Sequence, residues 1–345
     1  MINAQTRTPV RGERRRELAK LAVMARTSAL VGDRMRAVER HFDSYLESDI
    51  PLIAEIGRYI SQSGGKRVRP ALLLLAAKLG SYKGDRDVLF ASVFELIHTA
   101  TLVHDDVIDG AATRRGRRSV NGRWGNHVTV LLGDYLYIKS MNVALTAEDL
   151  RVIQILAQVT QRMIEGELIQ ADRIGSVDIT EADYLEIVRR KTADLFSGCC
   201  RVGGLLGAQS SERQTALAEF GLNLGMAFQI TDDILDLTST ESALGKPVAS
   251  DLREGKVTLP LIYLMRRGDA AYREQIATVV ADGGFTRVSH DEIRGLLHRE
   301  GTIETARDLA SVYARRAEAC LDLFPASPAR DCLLELPGFA VERTS

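Results

Sequence analysis

HTATLVHDDVIDGAATRRGRR, residues 98–118, sets three carboxylates, Asp105, Asp106 and Asp109, in an apolar helical pattern and follows them with four arginines. Read as a helix, the stretch stacks Asp105 and Asp109 one turn apart on one face, with Thr101 and His98 on the turns before them. Asp106 then points about 100° away. Two carboxylates roughly 5 Å apart repel by about 3 kcal/mol at an effective dielectric of about 20, so the arrangement calls for a cation. Alone, such a turn fits a solvated helix end equally well. Working outward, Asp232-Asp233-Ile234-Leu235-Asp236 repeats the spacing of residues 105–109, and each turn follows about 20 residues of helical pattern. Two acidic turns on two apolar helices fit metal-sharing carboxylates far better than solvated ends.

The surrounding chain reads as all-α. Of 345 residues, 45% are apolar and only 8 are Pro, and long Ala/Leu/Glu/Arg-rich segments outnumber alternating β-branched runs. Helical spacing covers Val31 to Tyr59, Ala71 to Leu79 behind Pro70, Val88 to Asp109, and Val128 to Ala144 after a Gly/Arg/Asn-rich loop at 110–126. It continues through Leu150 to Gln170, a helix running past Lys191 to Gly207 and opened by a Thr180/Asp183 capping box, and Leu217 to Leu237. Pro260 opens the next helix, and weaker ones follow near 270–281, 291–298 and 302–323. Loops are short and no Gly/Ser linker divides the chain, so the pattern predicts one large helical bundle around a central cavity, residues 27–345, behind a basic N-terminal extension, residues 1–26.

A net charge of −1 offers no global attraction to nucleic acid or to an anionic membrane. Cys199, Cys200, Cys320 and Cys332 form no CxxC pair or disulfide framework, and no stretch approaches 18 uninterrupted apolar residues. These features predict a cytoplasmic protein without a transmembrane segment. The arginines at 114–118 would suit nucleic acid by themselves, but the neighbouring carboxylates repel a phosphate backbone.

Clustered aspartates without a His or Cys ligand set suit Mg²⁺, which keeps part of its water and binds through one or two carboxylates plus substrate phosphate oxygens. Lys66, Arg69, Arg114, Arg115, Lys191, Lys246 and Lys256 supply cations at intervals along an otherwise neutral chain. The expected ligand is a polyphosphate.

Six segments in order, GGKRVRP (64–70), ELIHTATLVHDDVIDGAATRRG (95–116), GDYLY (133–137), KTADLF (191–196), GMAFQITDDILD (225–236) and GKPVASDLREGKVTLP (245–260), resemble the trans-isoprenyl diphosphate synthases of the polyprenyl synthetase family. The likeness covers roughly residues 30–340. It implies an all-α bundle, usually a homodimer, that condenses isopentenyl diphosphate head-to-tail onto an allylic diphosphate. On the matching positions, Asp105, Asp109 and Asp232 would bind Mg²⁺, three ions per site with substrate bound, supported by Asp106, Asp233 and Asp236. Arg114, Lys191, Lys246 and Lys256 would hold the allylic diphosphate, and Lys66, Arg69, His98 and Arg115 that of isopentenyl diphosphate. Thr192 and Gln229 would face the allylic carbons. Ionisation gives a carbocation that the isopentenyl double bond attacks, and no protein nucleophile is required. The loop at 238–257 is the expected lid. His98 is read as a substrate contact and His104 as a structural hydrogen bond.

Each helical turn rises 5.4 Å, about one isoprene unit. Ala100 and Thr101, five and four residues before Asp105, occupy positions that carry bulky aromatics in family members stopping at fifteen carbons. Both are small here, and Met141 is among the deeper stops, so a product near C40 for quinone side chains is expected. A shorter-chain synthase and a class I terpene cyclase are the alternatives, the cyclase disfavoured by GGKRVRP and Arg115.

Overall fold

A computed structural model describes residues 11–65, 67–114, 116–239 and 248–343, with side chains from residue 23 onward except that of Met24. Helices α1 (Arg11–Tyr45), α2 (Pro51–Ser61), α3 (Val68–Leu79) and α4 (Arg86–Ile108) lead into a hairpin of β1 (Thr113–Arg114) and β2 (Arg117–Arg118). Then come α5 (Val120–Leu145), α6 (Leu150–Arg173), α7 (Glu181–Val188), a π-helical segment (Arg189–Ala193), α8 (Asp194–Leu206) and α9 (Ser211–Thr238). The chain closes with α10 (Ser250–Arg253), α11 (Leu259–Met265), α12 (Ala270–Asp282), α13 (His290–Arg299), α14 (Thr302–Cys320), a 3₁₀ turn (Leu321–Leu323) and α15 (Pro328–Glu342).

The all-α expectation holds, and the element boundaries differ where local chemistry decides them. The segment read as one helix through Tyr59 breaks at Pro51, which cannot donate a backbone hydrogen bond and holds Ile50 extended (φ −84, ψ 114). In the loop at 110–126, antiparallel pairing of Thr113 with Arg118 and Arg114 with Arg117 makes a small hairpin. The Thr180/Asp183 capping box forms as read. Helix α15, with Ser327 as its N-cap and Pro337 inside, lies beyond the last helix anticipated from the sequence. Helix α1 runs through the position where the basic extension was expected to end.

Leu72, Leu73, Leu74 and Leu75 are all fully buried, so α3 packs around its whole circumference against α1, α4, α8 and α15. Burying one such side chain contributes about 1.5–3 kcal/mol. Helix α4 is central: it packs on α1, α3, α5 and α8. Among the described residues it alone has the length and composition to cross a membrane, with mean hydropathy 1.2 over an 18-residue window, yet 72% of that window is buried inside the bundle. The acidic turn therefore sits at the end of a core helix.

Candidate active site

Helix α4 ends at the first acidic turn, with Asp109 as its C-cap. Asp106 is buried and accepts from Arg114 Nε at 2.6 Å, while Asn121 Nδ2 donates to the Asp106 carbonyl at 2.9 Å. The hairpin is thereby fastened to the helix that carries the aspartates. Asp109 accepts from Lys256 Nζ at 2.8 Å, and the same ammonium reaches Glu254 at 2.7 Å. Burial alone would lower the Lys256 ammonium, but Asp109 and Glu254 hold it above its usual value. This ion pair joins the first turn to the segment after α9, 147 residues later. Among the described residues Asp105 has no such partner. Burial, with Glu167 and Asp109 nearby, raises its carboxyl to about 6 against the pull of Lys191 and Arg114.

On α9 the second turn divides by depth. Asp232 is half-exposed and pairs with Arg343 at 2.8 Å. Arg343 follows α15, lies 3.8 Å over the Phe228 ring, and nothing in the sequence pattern marked it. Asp233 is buried and accepts from Tyr184 at 2.6 Å and Gln229 at 2.8 Å. Burial and the charges of Asp251 and Asp232 push its carboxyl well above the usual range. Asp236, also buried, accepts from Ser250 Oγ at 2.8 Å and from the Asp251 amide at 3.1 Å, anchoring the start of α10.

Lys191 and Thr192 come from the π-helical segment, which no sequence signal had separated from its flanking helices. The wider turn is seated by two glycines. A Cβ on Gly166 of α6 would lie 2.8 Å from Arg190 Cβ, and one on Gly225 of α9 would lie 2.6 Å from Ala193 Cα. Lys191 pairs with Glu167 at 2.5 Å. Thr192 Oγ1 donates to Gln229 Oε1 at 2.9 Å, so Thr192, Gln229, Asp233 and Tyr184 form one hydrogen-bonded chain that is buried at its Asp233 and Tyr184 end.

A cavity is lined by Gly64, Arg67, Glu95, His98, Asp106 and Arg114 among others. It joins His98 to Arg114, whereas Arg69 is not in its lining and stacks 5.0 Å from Phe196. Lys66, Arg115 and Lys246, together with lid residues 240–247, lie outside the described residues. His104 bonds the Val130 carbonyl at 3.1 Å. Ala100 is buried with Leu96, Leu132 and Leu136 against α5, Thr101 Oγ1 donates to the His98 carbonyl at 2.8 Å, and Met141 packs at the edge of the main core.

The donors fit a hard divalent ion. All are carboxylate oxygens, and Asp105 is a buried one whose charge burial disfavours and a bound cation would stabilise. Among the described residues no three acidic, His or Cys side chains are grouped as they would be around a metal ion.

A family model described as polyprenyl synthetase matches residues 50–292. The octaprenyl diphosphate synthase of Escherichia coli (strain K12) is 35% identical over 93% of this chain and 99% of its own. Component 2 of the heptaprenyl diphosphate synthase of Geobacillus stearothermophilus is 36% identical, over 91% and 97% respectively. The polyprenyl synthase from Caulobacter crescentus CB15, solved in complex with calcium and isoprenyl diphosphate, superposes with a TM-score of 0.89 at 35% identity, covering 93% of this chain and 98% of that one.

Proposed function

Because the chain belongs to the polyprenyl synthetase family and is a prenyltransferase, we infer that it makes a long all-trans polyprenyl diphosphate of about C40. It adds isopentenyl diphosphate to farnesyl or geranyl diphosphate in a Mg²⁺-dependent, head-to-tail reaction. The observation that carries the long-chain reading is the absence of bulk at Ala100 and Thr101, on the turn of α4 before Asp105. The octaprenyl and heptaprenyl relatives support it.

Asp105 and Asp109 on one side and Asp232 on the other would hold Mg²⁺, three ions with substrate bound, which supplies positive charge to the departing diphosphate. Asp106 orients Arg114, and Asp233 and Asp236 hold the wall behind Asp232. Arg114, Lys191, Lys246 and Lys256 bind the allylic diphosphate, and Lys66, Arg69, His98 and Arg115 bind that of isopentenyl diphosphate. Lys191 and Lys256 rest on Glu167 and on Asp109 and Glu254 and exchange these partners for phosphate oxygens. The Thr192 and Gln229 oxygens, fixed by the chain to Asp233, face the allylic cation. The proton lost after condensation passes to the released diphosphate.

The enzyme works in the cytoplasm as a homodimer and feeds quinone side-chain synthesis. Leu131, Ile138 and Leu145 of α5, with Ile164 and Leu168 of α6, are all more than half exposed and form the apolar face that a second copy covers. Purified protein given farnesyl diphosphate, isopentenyl diphosphate and Mg²⁺ should yield a polyprenyl diphosphate whose alcohol, released afterwards with phosphatase, is C35 to C50. A product ending at C15 or C20 would overturn the long-chain reading, and a cyclic hydrocarbon formed without isopentenyl diphosphate would favour a cyclase. Ala100→Phe should shorten the product, since the ring would fill the first turn of the tunnel before Asp105.

A further inference from the structure

Arg67 stands apart from the other cations of the GGKRVRP segment. It is the N-cap of α3 and adopts a left-handed conformation (φ 46, ψ 38), which residues with a side chain rarely occupy. Its guanidinium is clamped between two other helices. Nε and Nη2 donate to Glu39 of α1 at 2.8 and 3.1 Å, Nη1 donates to Glu95 of α4 at 2.6 Å, and the group lies 4.5 Å over the Phe42 ring. Arg67 and Glu95 are only 10% and 7% exposed as side chains, although both line the cavity that holds His98 and Arg114. Neutralised by two carboxylates, Arg67 has little charge left for an anionic ligand. Glu95 lies three residues before His98 and faces the same cavity; unpaired, it would repel a diphosphate there.

We propose that Arg67 is a positioning residue for the isopentenyl diphosphate site, its clamp to Glu39 and Glu95 fixing the left-handed turn into α3 and cancelling the negative charge of Glu95 beside His98. The proposal rests on the isopentenyl reading given above. It separates one substrate from the other, which a purely structural role would not do.

Steady-state kinetics with each diphosphate varied in turn tests it. Arg67→Gln should raise KM for isopentenyl diphosphate ten- to a hundredfold and leave KM for the allylic diphosphate within twofold. Adding Glu95→Gln, which removes the orphaned carboxylate, should recover at least a third of that loss on a logarithmic scale. Equal changes in both KM values, or none, overturn the proposal. Should Arg67→Gln fail to fold, Arg67→Lys decides by the same split, because it keeps the charge and loses the two-sided fork. Wild-type protein that turns over both substrates while the variants leave KM unmoved counts against Arg67 alone. Wild type without turnover counts against the isopentenyl reading and overturns the proposal with it.

Discussion

Asp105 is held where its charge is costly. Burial raises its carboxyl from 3.8 to about 6, and Glu167 and Asp109 add to the rise. A carboxyl with a raised folded-state pKa binds protons more tightly when folded, so stability falls as pH climbs from about 4 through about 6. The penalty is fully present above that window and amounts to ~3 kcal/mol at most. Metal-free Asp105→Asn should therefore melt several degrees higher than wild type at pH 8, with the gain gone at pH 4, and should lose more than a thousandfold in turnover; scanning calorimetry and product assays check both. Arg343 sets the opposite balance at Asp232, supplying a cation at 2.8 Å from a carboxylate expected to bind metal. Arg343→Gln should strengthen Mg²⁺ binding to the free protein several-fold, since a half-exposed pair is worth about 1 kcal/mol, and calorimetric titration without substrate reads this directly.

At the scale of elements, the π-helical segment matters most. Five residues, Arg189–Ala193, widen the helix between α7 and α8, and a π-bulge rotates the residues that follow it relative to a continuous α-helix. Lys191 and Thr192 consequently meet Glu167 and Gln229 on different helices. Gly225 lets α9 approach that turn, because a Cβ there would come within 2.6 Å of Ala193 Cα. Gly225→Ala should cost about 1–3 kcal/mol of stability through overpacking and lower turnover at least tenfold by displacing Thr192 from Gln229. Urea unfolding and steady-state kinetics measure the two effects. The acidic repeats at 105–109 and 232–236 were legible because carboxylates are rare within apolar helical patterns. The π segment was not: KTADLF has the same apolar spacing in either helix type, and packing against Gly166 and Gly225 is a contact between distant segments.

At the scale of the molecule, the segment after α9 connects the two acidic turns: Asp236 anchors the start of α10, and Lys256 a few residues on reaches Asp109. The exposed stripe Leu131, Ile138 and Leu145 repeats every seven residues on α5 beside Ile164 and Leu168 of α6. In the proposed homodimer this face meets a second copy. Leu168→Glu combined with Ile138→Glu should halve the mass measured by light scattering. An unchanged dimer would place the interface elsewhere.

By itself the sequence determined the helical class, the two acidic turns and the spacing of their cations, because periodicity and charge are local properties of the chain. Tertiary structure alone decided how those groups are paired. It buried Asp233 under Tyr184 and Gln229, brought Arg343, just past α15, to Asp232, and made Arg67 a clamped strut between Glu39 and Glu95. The physical reason is the same in each case: a charged side chain's role depends on its desolvation and on partners tens to hundreds of residues away.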